Sequence, residues 1–500
     1  MKKRMRCVSV LLLTIVLGVS VLPLQALALG IEQSYSYNYD LEENALPAPD
    51  PYEVRYRIEV SDYVQGRLKA PSGMFVRGNM LYICDTGNSR ILQLQLTETE
   101  PVFVRELTET DQWTLSGPED IFAAENGDLY IADTGNRRIL WLDGDLNIRK
   151  IIERPDDVLF ESFSEFKPSK LVVNGGGRIY VQATGVNRGL MEFDPNCDFT
   201  GFMGASNVTF AWEDYIWKLL STDAQKSQME SFVPTEYNNV ALDRDGMIYT
   251  TTAVFSVSDL LSGAADPVRR LNQKGTDILI RNNSGVIGDL TWGEDGPSRF
   301  ADVTVLDSNI YFVLDTTKKR IFAYDQQGTN LYVFGGYGTK AGYFINPVAL
   351  EHWGNDLLVL DAGSGYITVL KPTEYNKQIM TAITAYDSGS YDTALEAWEA
   401  VLEKNGNYMM AYDGIGKILL RRGDYREALD YLEYADDDYY YSKAWKLYRK
   451  DWIETYLIWI IVALIIFVVF NWVRKVYNRE RGALENYEER KRTIMERQGK

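Results

Sequence analysis

Glu119, Asp120, Lys170, Asn238, Asn239, Asp302 and Asn346 are the residues of this 500-residue chain whose types and placement could do chemistry together, each lying at or beside the start of a short apolar run such as Ile121-Phe122-Ala123 or Leu171-Val172-Val173. Brought to one place, their carboxylates and amides would form a ring of hard oxygen donors. Such a ring needs no cofactor, and Ca²⁺ is the ion it could hold. The single histidine, His352, removes most hydrolytic chemistry, because one imidazole builds neither a multi-His zinc cage nor a dyad with a second His.

The elements that would position this ring repeat along the chain. Leu81-Tyr82-Ile83-Cys84-Asp85-Thr86-Gly87-Asn88-Ser89-Arg90-Ile91 returns 48 residues later as Leu129-Tyr130-Ile131-Ala132-Asp133-Thr134-Gly135-Asn136-Arg137-Arg138-Ile139. Weaker copies lie at 179–190, 248–253, 311–321 (with Asp315 and Arg320) and 357–367 (with Asp361 and Gly363), which makes six units. A period of 45–50 residues with several short strands per unit is the arithmetic of a β-propeller. In each unit the Asp-Thr-Gly-Asn stretch predicts a hairpin turn, with the Asp accepting from turn amides and the Gly free to adopt positive φ. The following Arg can pair with an Asp on its own blade or the next. One aspartate per unit at the same turn implies a structural role for Asp85, Asp133, Asp315 and Asp361.

These stretches resemble NHL repeats, and Phe334-Gly335-Gly336-Tyr337-Gly338 followed by Gly342–Pro347 resembles the glycine-rich lead-in of that family. The resemblance implies a mostly β, six-bladed propeller over 53–371 with ligands at its channel mouth. Gluconolactonase-like hydrolases, six-bladed propellers too, place a Glu/Asn/Asp metal site there, so a metal-dependent hydrolase of a small ester or lactone is the alternative to a binding protein. Amidating-lyase and streptogramin-lyase relatives lean on histidines and fit one His352 poorly. Closure is predicted from the chain itself. The sixth unit runs out at Lys371-Pro372 without a fourth strand, whereas Glu53–Val60 alternates Val54, Tyr56, Ile58 and Val60 against charged residues and can supply it. Residues 29–52 read as a linker, and helical spacing in about 205–234 predicts an insertion between units three and four, followed by a long loop at 254–266.

A second repeat follows: Gly389-Ser390-Tyr391-Asp392-Thr393-Ala394-Leu395 returns 34 residues on as Gly423-Asp424-Tyr425-Arg426-Glu427-Ala428-Leu429. With Gly416 and Leu432 at the matching small and large positions, residues 375–450 resemble tetratricopeptide (TPR) repeats, with Ser442–Arg449 as a capping helix that runs on toward the membrane. The resemblance implies a short helical hairpin array that docks peptides or proteins.

The ends set the compartment. Residues 1–28 have the basic start, apolar run and Ala26-Leu27-Ala28 pattern of a signal peptide. Residues 453–473 predict one transmembrane helix, with no charge from Thr455 to Val473, and 474–500 carry nine Lys/Arg against five Glu. The positive-inside rule makes that tail cytoplasmic and the rest extracytoplasmic, a single-pass type I protein of the cell membrane. Taking +4 for each end from the overall −18 leaves −26 on the exported part, which speaks against nucleic acid. Two cysteines beyond the signal, Cys84 and Cys197, are no disulfide scaffold, although one bridge is open to them. Low cysteine use suits a Gram-positive exported protein. The expected partners are cell-surface or membrane proteins or glycans, and the expected function is binding or scaffolding.

Overall fold

In the computed structural model, the described residues are 36–40, 44–160, 165–186, 188–204, 237–252, 266–281, 288 and 296–499. The signal segment, the insertion at 205–234 and nearly all of the loop at 254–266 lie outside them. Six antiparallel sheets form a six-bladed propeller. Blade one is Gly73–Arg77, Met80–Asp85, Arg90–Gln95 and Val102–Leu107; blade two Asp120–Ala123, Leu129–Asp133, Arg138–Leu142 and Ile148–Ile152; blade three Pro168–Val173, Ile179–Ala183, Leu190–Phe193 and Phe199–Met203. Blade four has three strands among the described residues, Tyr237–Leu242, Ile248–Thr252 and Val268–Leu271. Blade five is Phe300–Val305, Tyr311–Asp315, Arg320–Tyr324 and Asn330–Gly335, and blade six begins with Pro347–Trp353, Asp356–Asp361 and Tyr366–Pro372. The first strand of every blade touches the first strands of both neighbours, and the sixth returns to the first.

Stacking explains the sequence pattern. Second strands lie between two neighbouring blades, so Leu129–Asp133 and Tyr311–Asp315 are buried at every residue, whereas the outer strand Val102–Leu107 alternates toward solvent. The chain's N-terminal part closes the last blade as expected: Tyr52–Glu59 pairs antiparallel with Tyr366–Pro372, with Ile58 opposite Ile367. Ile58 and Val60 enter the core, while Arg55 and Glu53 on the other face pair with Asp356 (2.7 Å) and Lys371 (3.0 Å).

Residues 36–47 are more than a linker. Tyr37–Tyr39 adds to the edge of blade five through Tyr37 opposite Val333, and Ala45–Pro47 pairs with it in turn. Sequence pattern missed them because each strand is three residues long, too short to show a period.

The repeated turn works differently from its expected form. Asp85 and Asp133 are fully buried and reach back to the segment that enters their own blade, accepting from the amides of Lys69 (2.7 Å) and Ser116 (2.8 Å). Each also takes its own blade's arginine, Arg90 (2.6 Å) or Arg138 (2.8 Å), and the turn asparagine, Asn88 or Asn136. Asp315 and Asp361 clasp Arg299, Ile345 and Asn346 amides in the same way, although Arg320 bonds the Tyr37 hydroxyl instead. The glycines are not there for positive φ. Those values belong to Ser89 and Arg137. Gly87 and Gly135 donate to the Lys69 and Ser116 carbonyls at 2.8 Å, and a Cβ there would lie 2.6 and 2.4 Å from those oxygens. Cys84 and Cys197 are both free and buried.

After blade six, Thr373 caps a helical array: α1 (Glu374–Asp387), α2 (Tyr391–Lys404), α3 (Met409–Arg422), α4 (Tyr425–Tyr434) and α5 (Asp438–Gln498). The 34-residue repeat maps onto the α1–α2 and α3–α4 corners, with Gly389 and Gly423 at positive φ and Ala394 and Ala428 fully buried. Gly416 lies against Leu432, whose Cγ would be 2.6 Å from an added Cβ. The array is fused to the propeller rather than set apart from it. One apolar core runs from Phe312, Tyr332 and Phe334 of blade five through Tyr52 to Tyr375, Ile379 and Trp398 of the array. Buried Asn405 donates to Asn38 at 3.1 Å and to the Tyr375 hydroxyl at 3.0 Å. Helix α5 runs unbroken from the cap onward and is the one described helix long and apolar enough to cross a membrane.

Two outcomes follow from these contacts. Asp85→Ala removes the buried partner of Arg90, leaving it Glu106 and the Gln65 carbonyl at 3.3 Å each, and also frees the Lys69 amide; the expected cost is about 3 kcal/mol, read from denaturant unfolding of the purified chain. Deleting 36–47 should lower the unfolding midpoint measurably, since it removes blade five's added strands and the partner of Asn405; an unchanged midpoint would show that this segment only decorates the edge.

Candidate functional site

The ring forms because the inner strands are entered through bulges. In blades three to six the ladder to the second strand skips one residue, at Ser169, Asn238, Ala301 and Val348. The next residues, Lys170, Asn239, Asp302 and Ala349, thereby share one level of the channel wall. In blades two and one that level is taken by Asp120, opposite Ala132, and Gly73, opposite Cys84. A bulge re-aims a side chain in this way at the cost of one ladder position.

Side chains at this level reach across blade boundaries. Asp120 Oδ2 accepts from Leu171 N of blade three at 2.9 Å. Asp302 Oδ2 accepts from Leu350 N of blade six at 2.7 Å, while its Oδ1 accepts from Val303 N at 2.7 Å and from the Asn239 amide of blade four. Lys170 Nζ extends to blade one, where it donates to the Ser72 carbonyl at 3.2 Å and lies 3.7 Å from Asp120 Oδ1. Only glycine fits beneath it: a Cβ on Gly73 would be 2.6 Å from the Glu119 carbonyl and 3.1 Å from Lys170 Nζ.

Burial and proximity set the charge states. Desolvation opposes the Lys170 ammonium, yet Asp120, Asp302 and Glu119 around it outweigh that and hold its pKa above the ordinary lysine value. Burial raises Asp120 against the pull of Lys170 and the Leu171 amide, raises half-buried Glu119, and lifts Asp302 to about 7. Glu351, two residues beyond the ring position of blade six, is pushed well up by burial and then by Asp302. The neighbouring His352 is pushed down by burial, and its Nδ1 lies 2.7 Å from the Thr304 hydroxyl.

Of the residues expected at the mouth, Asp120, Lys170, Asn239 and Asp302 are brought together, with Glu119 at their edge. Asn238 is a stitch between blades, donating to the Phe300 carbonyl and accepting from Thr251, both at 2.8 Å. Asn346 is exposed, and its amide serves the Asp361 clasp. Glu351 was missed, although its signal is present: the blade-six strand carries it on the same face as Ala349, where other blades have Phe122, Val172 or Thr304. Among the described residues no group of three or more His, Cys, Asp or Glu could hold a metal ion. The Lys170 ammonium, 3.7 Å from Asp120 Oδ1, already supplies a positive charge beside that carboxylate. The arrangement offers paired hydrogen-bond donors and acceptors around one internal cation.

No family model matches the chain, and no curated protein does. Solved structures show the likeness of fold. Virginiamycin B lyase from Staphylococcus aureus is 10% identical over 63% of this chain and 98% of its own, with a TM-score of 0.39. Hydrazine synthase of Kuenenia stuttgartiensis is 12% identical over 60% and 83%, with a TM-score of 0.34. A candidate 6-phosphogluconolactonase from Bacteroides uniformis is 13% identical over 68% and 90%, with a TM-score of 0.36. The chain's own six sheets define its class as a six-bladed β-propeller, here carrying a C-terminal helical array with one long apolar helix.

The titration of Asp302 has a testable sign. Its folded pKa of about 7 exceeds the ordinary 3.8, so the stability it contributes is complete below about pH 4 and is lost as pH rises through about 7. Thermal unfolding followed from pH 4 to 8 should therefore fall less steeply in Asp302→Asn than in the wild type. Lys170→Met removes the compensating charge and is expected to cost about 3–5 kcal/mol at pH 8 and less at pH 5, where Asp302 is protonated. Equal losses at both pH values would show that Lys170 does not neutralise Asp302.

Proposed function

We propose that this chain is a membrane-anchored, extracytoplasmic scaffold: an NHL-like propeller and a TPR-like array that together dock a protein at the cell surface. The observation that carries the reading is an aromatic face on the array. The Tyr412 ring lies 5.5 Å from that of Tyr434 and 6.2 Å from that of Tyr431, and Tyr434 and Tyr439 are 68% and 70% exposed. Clustered, water-exposed tyrosines are the residue type that anchors protein interfaces, since each covers much area at little entropic cost. The channel ring supports binding over turnover in a second way. The oxygens of Asp302 are already committed to protein donors, as is Asp120 Oδ2, so the ring resembles a joint between blades more than a catalytic centre. The signal-like sequence of 1–28 and the basic 474–500 support export with the tail in the cytoplasm.

Crosslinking of the full chain in its native membrane, followed by mass spectrometry, tests the reading. Tyr434→Ala with Tyr439→Ala should lose the crosslinked partner, with affinity falling by roughly 30-fold for each anchor worth about 2 kcal/mol and by up to about 1,000-fold for the pair. If the crosslinks persist and the purified chain instead shows a divalent-metal-dependent lactonase activity, the hydrolase alternative replaces the scaffold.

A further inference from the structure

Helix α5 does not end with the apolar segment 455–473 but continues to Gln498, which at 1.5 Å per residue carries it some 37 Å further. Among the described residues, those of 474–498 are exposed, with Gly482 half-buried. Helices in proteins draw most of their stability from a packed apolar face, and this stretch has an exposed one. Val476, Tyr477, Leu484, Tyr487, Ile494 and Met495 recur at helical spacing, with Leu484, Tyr487 and Met495 each more than 60% exposed. Glu480 and Lys491 are the two charges that interrupt the stripe.

The arginines are ordered around it. Arg479, Arg490 and Arg497, spaced by eleven and seven residues, run along one border of the stripe; Arg474, Arg481 and Arg492, with the reverse spacing, run along the other. Glu485, Glu489 and Glu496 share the opposite, solvent-facing side. A self-associating helix would need opposite charges at its borders to pair across copies. Arginines outnumber acids on both borders, where Glu488 is the one carboxylate and Arg481 pairs with Glu485 at 3.3 Å; this net positive rim opposes a second copy and suits a plane of negative headgroups above an apolar layer. Gly482, on the polar side with nothing within 4 Å of an added Cβ, is the weakest point at which the helix can bend.

We propose that residues 483–498 form an amphipathic segment that lies on the anionic lipid surface adjoining the span, with the Leu484–Met495 stripe in the headgroup–acyl boundary and the arginines on lipid phosphates. This rests on residues 455–473 spanning the membrane, as in the function proposed above. The surface fits a lipid bilayer rich in anionic headgroups and no soluble partner of acidic chemistry, because the stripe needs an apolar layer beneath the charge.

The test uses the full chain reconstituted into vesicles. Cys84 and Cys197 are buried, so a nitroxide can be placed at Ile494→Cys on the stripe or Glu489→Cys on the opposite face. With about 30 mol% phosphatidylglycerol in phosphatidylcholine, label 494 should collide with dissolved oxygen in preference to a water-soluble nickel chelate, and label 489 the reverse. In phosphatidylcholine alone, or in Arg479→Gln/Arg490→Gln/Arg497→Gln, that contrast should shrink by roughly three-fold or more. A water-exposed label 494 in anionic vesicles overturns the proposal, as does a short, lipid-independent distance between labels on two chains, which would make a second copy the occupant. Release of the protein by alkaline carbonate would overturn the span itself, whereas a retained protein with an exposed label overturns the tail alone.

Discussion

Ring closure is the constraint on which the rest of the molecule depends. A propeller stays shut only while its first and last blades hold together, and sharing one sheet between the two ends of the ring provides that hold. Here Tyr52–Glu59 completes that sheet. The consequences spread from that one pairing. Residues before the closing strand are led along blade five, where Tyr37–Tyr39 extends the sheet. Residues after blade six must leave beside the same strand, so Thr373 is held by the Asp50 and Pro51 carbonyls as α1 begins. Entry and exit of the ring are thus one joint, and the helical array is seated on it through the core shared by Tyr52, Tyr332 and Tyr375.

The same logic accounts for the charges in the channel. Where six inner strands converge, each has a channel-side edge with no neighbouring strand in its own sheet. Asp120 and Asp302 satisfy an amide on two of these strands, at Leu171 and Leu350. Burying such carboxylates is costly without compensation, and Lys170 supplies it from within the ring. Asp302 remains the least compensated, as its rise to about 7 records, because Lys170 leans toward Ser72 and Asp120. The oxygens of Asp302 and Asp120 Oδ2 are thus engaged in joining blades.

Much of this was legible in the sequence wherever a local rule governed. The 48-residue recurrence of Asp-Thr-Gly-Asn located blades one and two, and the alternation of Val54, Tyr56, Ile58 and Val60 located the closing strand, because both are periodic along the chain. Gly87 and Gly135 were placed correctly and explained wrongly: close approach to the Lys69 and Ser116 carbonyls, not positive φ, excludes a side chain there. That reason depends on a segment far enough away in sequence that turn chemistry alone does not show it. Tyr37–Tyr39 was illegible for a related reason, since its partner Val333 is most of a ring away. Glu351 could have been found by aligning the inner strands two residues beyond the ring level, where it is the one carboxylate.

The fusion of array to ring also limits how the molecule can move. A detached array could swing about a linker, but one that shares buried aromatics with blade five and a buried Asn405–Asn38 contact with the N-terminal segment can shift only by breaking both. Helix α4 packs against α5, and α5 carries on without interruption through the apolar segment. Packed helices thus join blades five and six to the apolar segment, and Gly482 is the first residue past that segment whose lack of a side chain lowers the cost of bending.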